Sequence, residues 1–235
     1  MRHNWDTVKA KEFCYIVTDG THDSPKAKET GRYLITSKHL APHSIDFSSA
    51  KKISVEDYQK VIKRSPVEQW DILFSMIGTI GITYIEKNRN IDYACKNMGI
   101  FKFNGDENKA YWFYYYLQTP QAREYVLGHL RGTTQQYLPL ESLRDFPIQV
   151  PERETCNKIT SILRRLDDKI AINNAINENL ARDSASPKGR EFFSERAKPA
   201  PPRAHSAGEA AGFSRRTNAM IHERVGGSTP LFWVV

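Results

Sequence analysis

The sequence predicts an α+β domain that runs into a long coiled-coil-type helix and ends in a disordered tail. Three observations carry this. Residues 1–150 mix short β-branched and aromatic runs with helical segments, without the regular βα alternation of a doubly wound sheet. Residues 151–182 place apolar side chains at helical spacing over many turns. Residues 183–235 hold five of the twelve prolines, show no periodicity, and carry six Arg against two Lys after a Lys-rich body. The change is abrupt enough to indicate a separate origin, by frameshift or fusion, and removal of this low-complexity tail is expected to leave the fold intact.

Local signals place the elements in order. Tyr33-Leu34-Ile35-Thr36 is a strand by composition. Ser54, followed by Glu56 and Asp57, opens a short helix over Val55 to Lys63. Asp71 to Ile77 and Gly81 to Ile85 are two β-rich runs folded about Gly78-Thr79, as a hairpin or bent strand pair. Met98 to Phe103 is a further strand. Ala110 to Gln118 is aromatic-rich, a core helix closed by Thr119-Pro120, and Pro120 to Leu130 starts the next helix. A polar loop from Gly132 to Gln136 leads through a short apolar segment ending at Val150-Pro151 into the long helix. Along that helix Ile159, Leu163, Leu166 and Ile170 follow the spacing of a coiled-coil seam, and the register continues to Asn173, Asn177 and Leu180. Seam asparagines are costly on an isolated helix and make sense opposite a facing helix whose register they fix. The competing reading packs the helix on its own domain and leaves the asparagines exposed.

Composition sets bounds. At 235 residues and 40% hydrophobic, the chain can build one packed domain plus appendages. A net charge of +7 favours a polyanionic partner, nucleic acid first. Cys14, Cys95 and Cys156 show neither CxxC spacing nor a disulfide framework, which fits a reducing compartment. The apolar run Ile72 to Ile85 is broken by Ser75, Gly78, Thr79, Gly81 and Thr83, whereas a membrane helix needs about 20 apolar residues. The opening residues MRHNWDTVKA contain no apolar signal region. A cytoplasmic protein without membrane contact is expected.

Most chemistry lacks its motif. There is no GxxxxGK[ST], no GxGxxG after a strand and no GxSxG elbow. His22, His39 and His43 lie in loops without a cysteine at ligand spacing, so no metal site is expected. One nuclease-like arrangement remains: Asp92 ahead of Glu107-Asn108-Lys109 would hold a hard metal ion and activate water, though the same residues also read as an exposed turn. The loops suit a polyanion better. Thr21, His22, Lys26 and Lys28 stand on one turn-rich loop, Lys38 and His39 follow the first strand, and Thr79 sits in the Gly-Thr turn. Arg131, Thr133, Thr134 and Gln135 follow a helix. Hydroxyls and Lys hold phosphate oxygens, while Gln and Arg pair with base edges. Alternatively, these groups merely cap helices and close turns.

DGTHDSPK (Asp19 to Lys26), YLITSKHL (Tyr33 to Leu40), DILFSMIGTIG (Asp71 to Gly81), GTTQQYLPLESLRDFPIQVP (Gly132 to Pro151) and LDDKIAINNAINENL (Leu166 to Leu180) occur in this order. Over residues 1–182 the chain thereby resembles the specificity subunits of type I restriction-modification systems. The resemblance implies a subunit without an active site or cofactor of its own. Residues 1–150 would be one target-recognition domain reading half of a split double-stranded DNA sequence, and residues 152–182 a spacer helix. Methyltransferase (modification) subunits docked on such helices would supply S-adenosylmethionine-dependent adenine methylation. A restriction (motor) subunit would supply ATP- and Mg²⁺-dependent translocation and cleavage. Three departures stand out: full-length members carry two such halves and this chain one; the helix is expected to stop near Arg182; and Trp70 precedes Asp71 where the family more often has a glycine turn. Two copies, or this chain and another half, would pair through Ile159, Leu163, Leu166 and Ile170 and read a two-fold interrupted site. Two further readings are a metal-dependent nuclease using Asp92, Glu107 and Lys109, and an interaction protein whose helix binds a partner without DNA.

Overall fold

The computed structural model describes residues 5–41 and 43–185. In chain order the elements are β1 (Asp6–Lys9), α1 (Ala10–Phe13), β2 (Ile16–Asp19), β3 (Arg32–Ile35), β4 (Leu40–Ala41), β5 (Ser44–Ile45), β6 (Lys51–Ile53), α2 (Val55–Arg64), β7 (Ile72–Ser75) and β8 (Thr83–Ile85). There follow β9 (Tyr93–Cys95), β10 (Met98–Lys102), α3 (Glu107–Tyr116), α4 (Pro120–Gly128), α5 (Leu140–Arg144), β11 (Pro147–Val150) and α6 (Arg153–Ala185). The mixed α/β class and the long C-terminal helix are as expected. That helix runs three residues past Arg182, and the remainder of the expected tail, residues 186–235, lies outside the described residues.

A four-stranded antiparallel sheet in the order β2-β10-β7-β8 forms the centre. Its inner strands β7 and β10 are buried at every residue, so both sheet faces are covered. Strand alternation explains how. Ile72, Phe74 and Phe101 point into one cluster with the aromatic helix α3, where the Phe101 and Phe113 rings meet edge-to-face at 4.7 Å. Leu73, Met98 and Ile100 point into a second cluster with Ile35, Tyr93 and Cys95 of the smaller β6-β3-β9 sheet. Helix α2 covers that sheet through Tyr58 and Val61 against Leu34, Ile53 and Ala94.

Helix starts follow their caps. Ser54 accepts from the Asp57 N–H, Asp106 from the Lys109 N–H, and Thr119 from the Ala122 N–H with Pro120 in the first turn. Helix α3 is buried at five successive positions, Ala110 to Tyr114, so its sequence shows no polar stripe. Trp70 adopts φ +70°, a left-handed conformation that costs a bulky side chain about 1–3 kcal/mol. Trp70 is held there by packing on Tyr111 at 5.8 Å.

The first turns of α6 belong to the domain. Cys156 and Ile159 pack on the aromatic cluster and Thr160 is buried. Tyr115 Oη donates to Asp167 at 2.8 Å, and Arg164 bonds Glu107 at 2.5 Å while lying 4.1 Å over the Tyr111 ring. The expected seam is therefore corrected at its start: Ile159 faces its own domain and Leu163 is half-buried. On α6 the large apolar residues Ile162, Leu166, Ile170, Ile172, Ile176 and Leu180 are exposed, with Asn173 and Asn177 exposed among them. Among the described residues no helix is long and apolar enough to cross a membrane.

Candidate nucleic-acid interface

Three loops far apart in sequence meet at one cleft. The first leaves β2 at Asp19. Gly20 donates to the Met98 carbonyl at 2.8 Å, Thr21 to Cys95 at 2.9 Å, and Asn97 to Thr21 at 3.1 Å, which stitches the loop to the β9–β10 turn. Asn97 turns that corner at φ +53°, a conformation Asn tolerates better than most residues. The second is the β7–β8 turn, where the Ser75 hydroxyl donates to the Thr79 carbonyl at 2.6 Å. The third runs from Arg131 to Leu138. Arg131 and Tyr137 exchange backbone hydrogen bonds at 2.9 Å, Tyr137 bridges to Ile77, and the Leu138 N–H donates to Met76 at 2.9 Å. Gly132 closes its tip at φ +87°, with the Gln135 carbonyl where a Cβ would sit.

The cleft between them has a volume of about 260 Å³. Met76, Ile77, Tyr137 and Leu140 supply its apolar lining, and Asp19, His22 and Asn97 its polar end. Asp19 is only 4% exposed and is held from both sides: Arg64 bonds one oxygen at 2.6 Å and His22 Nε2 the other at 2.8 Å. His22 Nδ1 lies 2.9 Å from Asn97 Oδ1. The cluster thus chains a guanidinium, a carboxylate, an imidazole and an amide, with Arg64 45 residues from Asp19 and Asn97 75 residues from His22.

The residues singled out from sequence are placed unequally. His22, Thr79, Arg131, Thr133, Thr134 and Gln135 are exposed on these three loops. Lys26 and Lys28 are exposed on the continuation of the first loop, which is fixed to β6 by Lys28 N–H donating to Lys52 at 3.0 Å and Lys51 Nζ to Pro25 at 2.7 Å. Lys52 Nζ sits 5.3 Å from the Tyr33 ring centre, so cation and aromatic face stand together there. Lys38 is exposed on the 3₁₀ turn Ser37–His39.

Two expected contacts are corrected. His39 is 2% exposed and accepts the Thr36 N–H at 2.9 Å; burial, with Lys38 adjacent, lowers its pKa and keeps the ring neutral. Thr21 is buried and its hydroxyl accepts the Asp23 N–H at 3.1 Å. Both side chains close turns. The nuclease arrangement is not assembled: Asp92 pairs with Arg32 of β3 at 3.3 Å, Glu107 with Arg164 of α6, and Lys109 lies over the Phe13 ring. Among the described residues no group of three His, Cys, Asp or Glu side chains is placed to hold a metal ion.

The sequence alone does not single out Arg64, Asn97 or Tyr137. Asn97, between two β runs, carried a turn signal. Nothing local to Arg64 marks its partner 45 residues upstream.

The family model described as "Type I restriction modification DNA specificity domain" matches residues 2–182. No curated protein matches the chain. Among solved structures, the HsdS subunit from Thermoanaerobacter tengcongensis is similar over 88% of this chain and 52% of its own, at 12% identity and a TM-score of 0.53. The type I restriction-modification system S subunit from M. genitalium is similar over 83% of this chain and 50% of its own, at 13% identity and a TM-score of 0.49. The chain spans about half the length of these structures. The first likeness shows a shared fold.

Proposed function

The chain belongs to the family of type I restriction modification DNA specificity domains, and from that premise we propose that it grips duplex DNA sequence-specifically and leaves bond-making to partner subunits. One observation carries this reading: His22, Met76 and Ile77, Asn97, and Tyr137 to Leu140, from segments far apart in sequence, line one cleft, while Thr79, Arg131 and Gln135 are exposed on the same loops and Lys26, Lys28 and Lys38 are exposed outside it. A cleft with few polar groups positions bases, and surrounding cations position phosphates. The target would be one half of a split site. Methyltransferase subunits carrying S-adenosylmethionine would modify its adenines, and a restriction subunit using ATP and Mg²⁺ would cut DNA.

Phosphate contacts release counterions, so binding to duplex DNA should weaken steeply with salt. Lys26→Ala, Lys38→Ala and Arg131→Ala should each lower affinity and flatten the slope of log K against log salt by about one. Fluorescence anisotropy across a salt series measures this. Binding that ignores salt, or three variants indistinguishable from wild type, would sink the proposal. Co-purification with a methyltransferase subunit, followed by mapping of methylated adenines, tests the delegation of chemistry.

The exposed stripe on α6 supports a second element of the reading, in which the helix pairs with a facing helix from another copy or another specificity half. Leu166→Asp with Ile170→Asp should abolish this pairing and, at concentrations too low for the wild type to associate, leave the melting temperature within about 2 °C, since surface changes of this kind move stability by about 0.5 kcal/mol. Light scattering should register a dimer for wild type and a monomer for the variant. A wild-type monomer at high concentration would argue against pairing between copies.

A further inference from the structure

Resting on the DNA-recognition reading above, we infer that Asn97, fixed by a relay from Arg64 through Asp19 and His22, is the residue with which the cleft reads a base edge, and that the base is adenine. Hydrogen-bond capacity separates Asn97 from its more exposed neighbour. His22 has a side chain 65% exposed, yet both its ring nitrogens are occupied, one by Asp19 and one by Asn97. An ionised carboxylate only accepts, so His22 Nε2 donates to Asp19. In the neutral ring Nδ1 then accepts from the Asn97 amide nitrogen, with the amide turned over, whereas in the imidazolium it donates to the Asn97 oxygen. In both arrangements Asn97 keeps at least one N–H and one oxygen lone pair, and no other side-chain bond of its amide occurs among the described residues.

A donor and an acceptor side by side on a planar amide match the N7 and N6 amino group on the major-groove edge of adenine. Ile77, Tyr137 and Leu140 beside it give the apolar surface that suits the methyl group of the paired thymine. The amide is preorganised twice, by its left-handed backbone bonded to Thr21 and by the His22 ring. That ring is held by Asp19, which is almost wholly buried and shared with Arg64 at 2.6 Å. Arg64 is accordingly a positioning residue: it acts on the base through Asp19, His22 and Asn97.

The full chain, incubated with a pool of random duplexes at several salt concentrations, tests this by sequencing of the bound fraction. Wild type should prefer A·T at one position, and Asn97→Gly should reduce that preference on the order of tenfold to a hundredfold. Glycine accepts the positive φ, so the turn is preserved and the amide alone is lost. Arg64→Gln should weaken preference at the same position and at no other, an outcome a merely structural role would not produce. Unchanged preferences in Asn97→Gly, losses spread over all positions, or a loss at a G·C pair would each overturn the inference while leaving DNA recognition in place. Absence of salt-sensitive duplex binding in wild type would overturn both.

Discussion

Lys102→Met should cost the fold about 3–5 kcal/mol at pH 8, because it strips a buried carboxylate of its counter-charge. Lys102 donates to Asp71 at 2.7 Å and to the Pro66 carbonyl at 2.9 Å, and forms an ion pair with the more exposed Glu68 at 2.9 Å. Asp71 is fully buried, its Oδ2 also accepts the Glu68 N–H at 2.8 Å, and its Oδ1 has no partner among the described residues. Burial pushes the Asp71 pKa up to about 6, with the Lys102 charge and hydrogen bond pulling the other way. A folded pKa above the unfolded value means that the stability Asp71 contributes is complete below about pH 4 and is lost as pH rises through about 6. Without Lys102 the pKa climbs further, so a proton enters Asp71 at a higher pH in the variant. The deficit relative to wild type should be largest at pH 8 and shrink by pH 5.5. Urea denaturation at the two pH values measures it. A loss under about 1 kcal/mol, or one that grows on acidification, would contradict this account of the pair.

That pair also marks where sequence stops being informative. Asp71 and Lys102 are charged residues on a β-rich background, and nothing nearby says that they meet across the sheet. Elements written in local signals were legible: the Ser54-capped helix, the Gly78-Thr79 hairpin, the aromatic helix and the Thr119-Pro120 start. Strand β1 was not, because DTVK is mostly polar and exposed and finds its partner β11 some 140 residues away, Asp6 opposite Val150. The same limit governed the interface. A loop rich in Gly, Thr, His and Lys marks a place where backbone and polar groups approach a ligand, but not which groups turn outward. His22 and His39 stand in comparable loops, and only their packing separates an exposed ring from a buried one. On α6 the spacing marked an apolar stripe, yet not which of its turns the aromatic helix would cover.

Gly20→Ala should lower the melting temperature by about 5–10 °C, corresponding to roughly 2–3 kcal/mol of overpacking. A Cβ on Gly20 would stand 2.4 Å from the Cys95 carbonyl oxygen and 2.6 Å from its carbon. Both are backbone atoms of β9, whose residues are buried throughout, so neither can swing aside as a side chain would. The loop must lift instead, straining the Gly20–Met98 and Thr21–Cys95 hydrogen bonds that seat it. Gly128, the last residue of α4, is the internal control: a Cβ there meets nothing within 4 Å, and Gly128→Ala should leave stability unchanged or raise it by up to about 1 kcal/mol. The two alanines differ by what surrounds them, so differential scanning calorimetry of both separates close packing from any general effect of losing glycine. Because Gly20 lies between Asp19 and Thr21, its displacement also moves the carboxylate that orients His22. Base discrimination by Gly20→Ala should therefore fall even at temperatures where the chain is folded, while attraction of Lys26 and Lys38 for phosphate persists. Equal melting temperatures for the two variants would show that this loop does not need its close seat on β9.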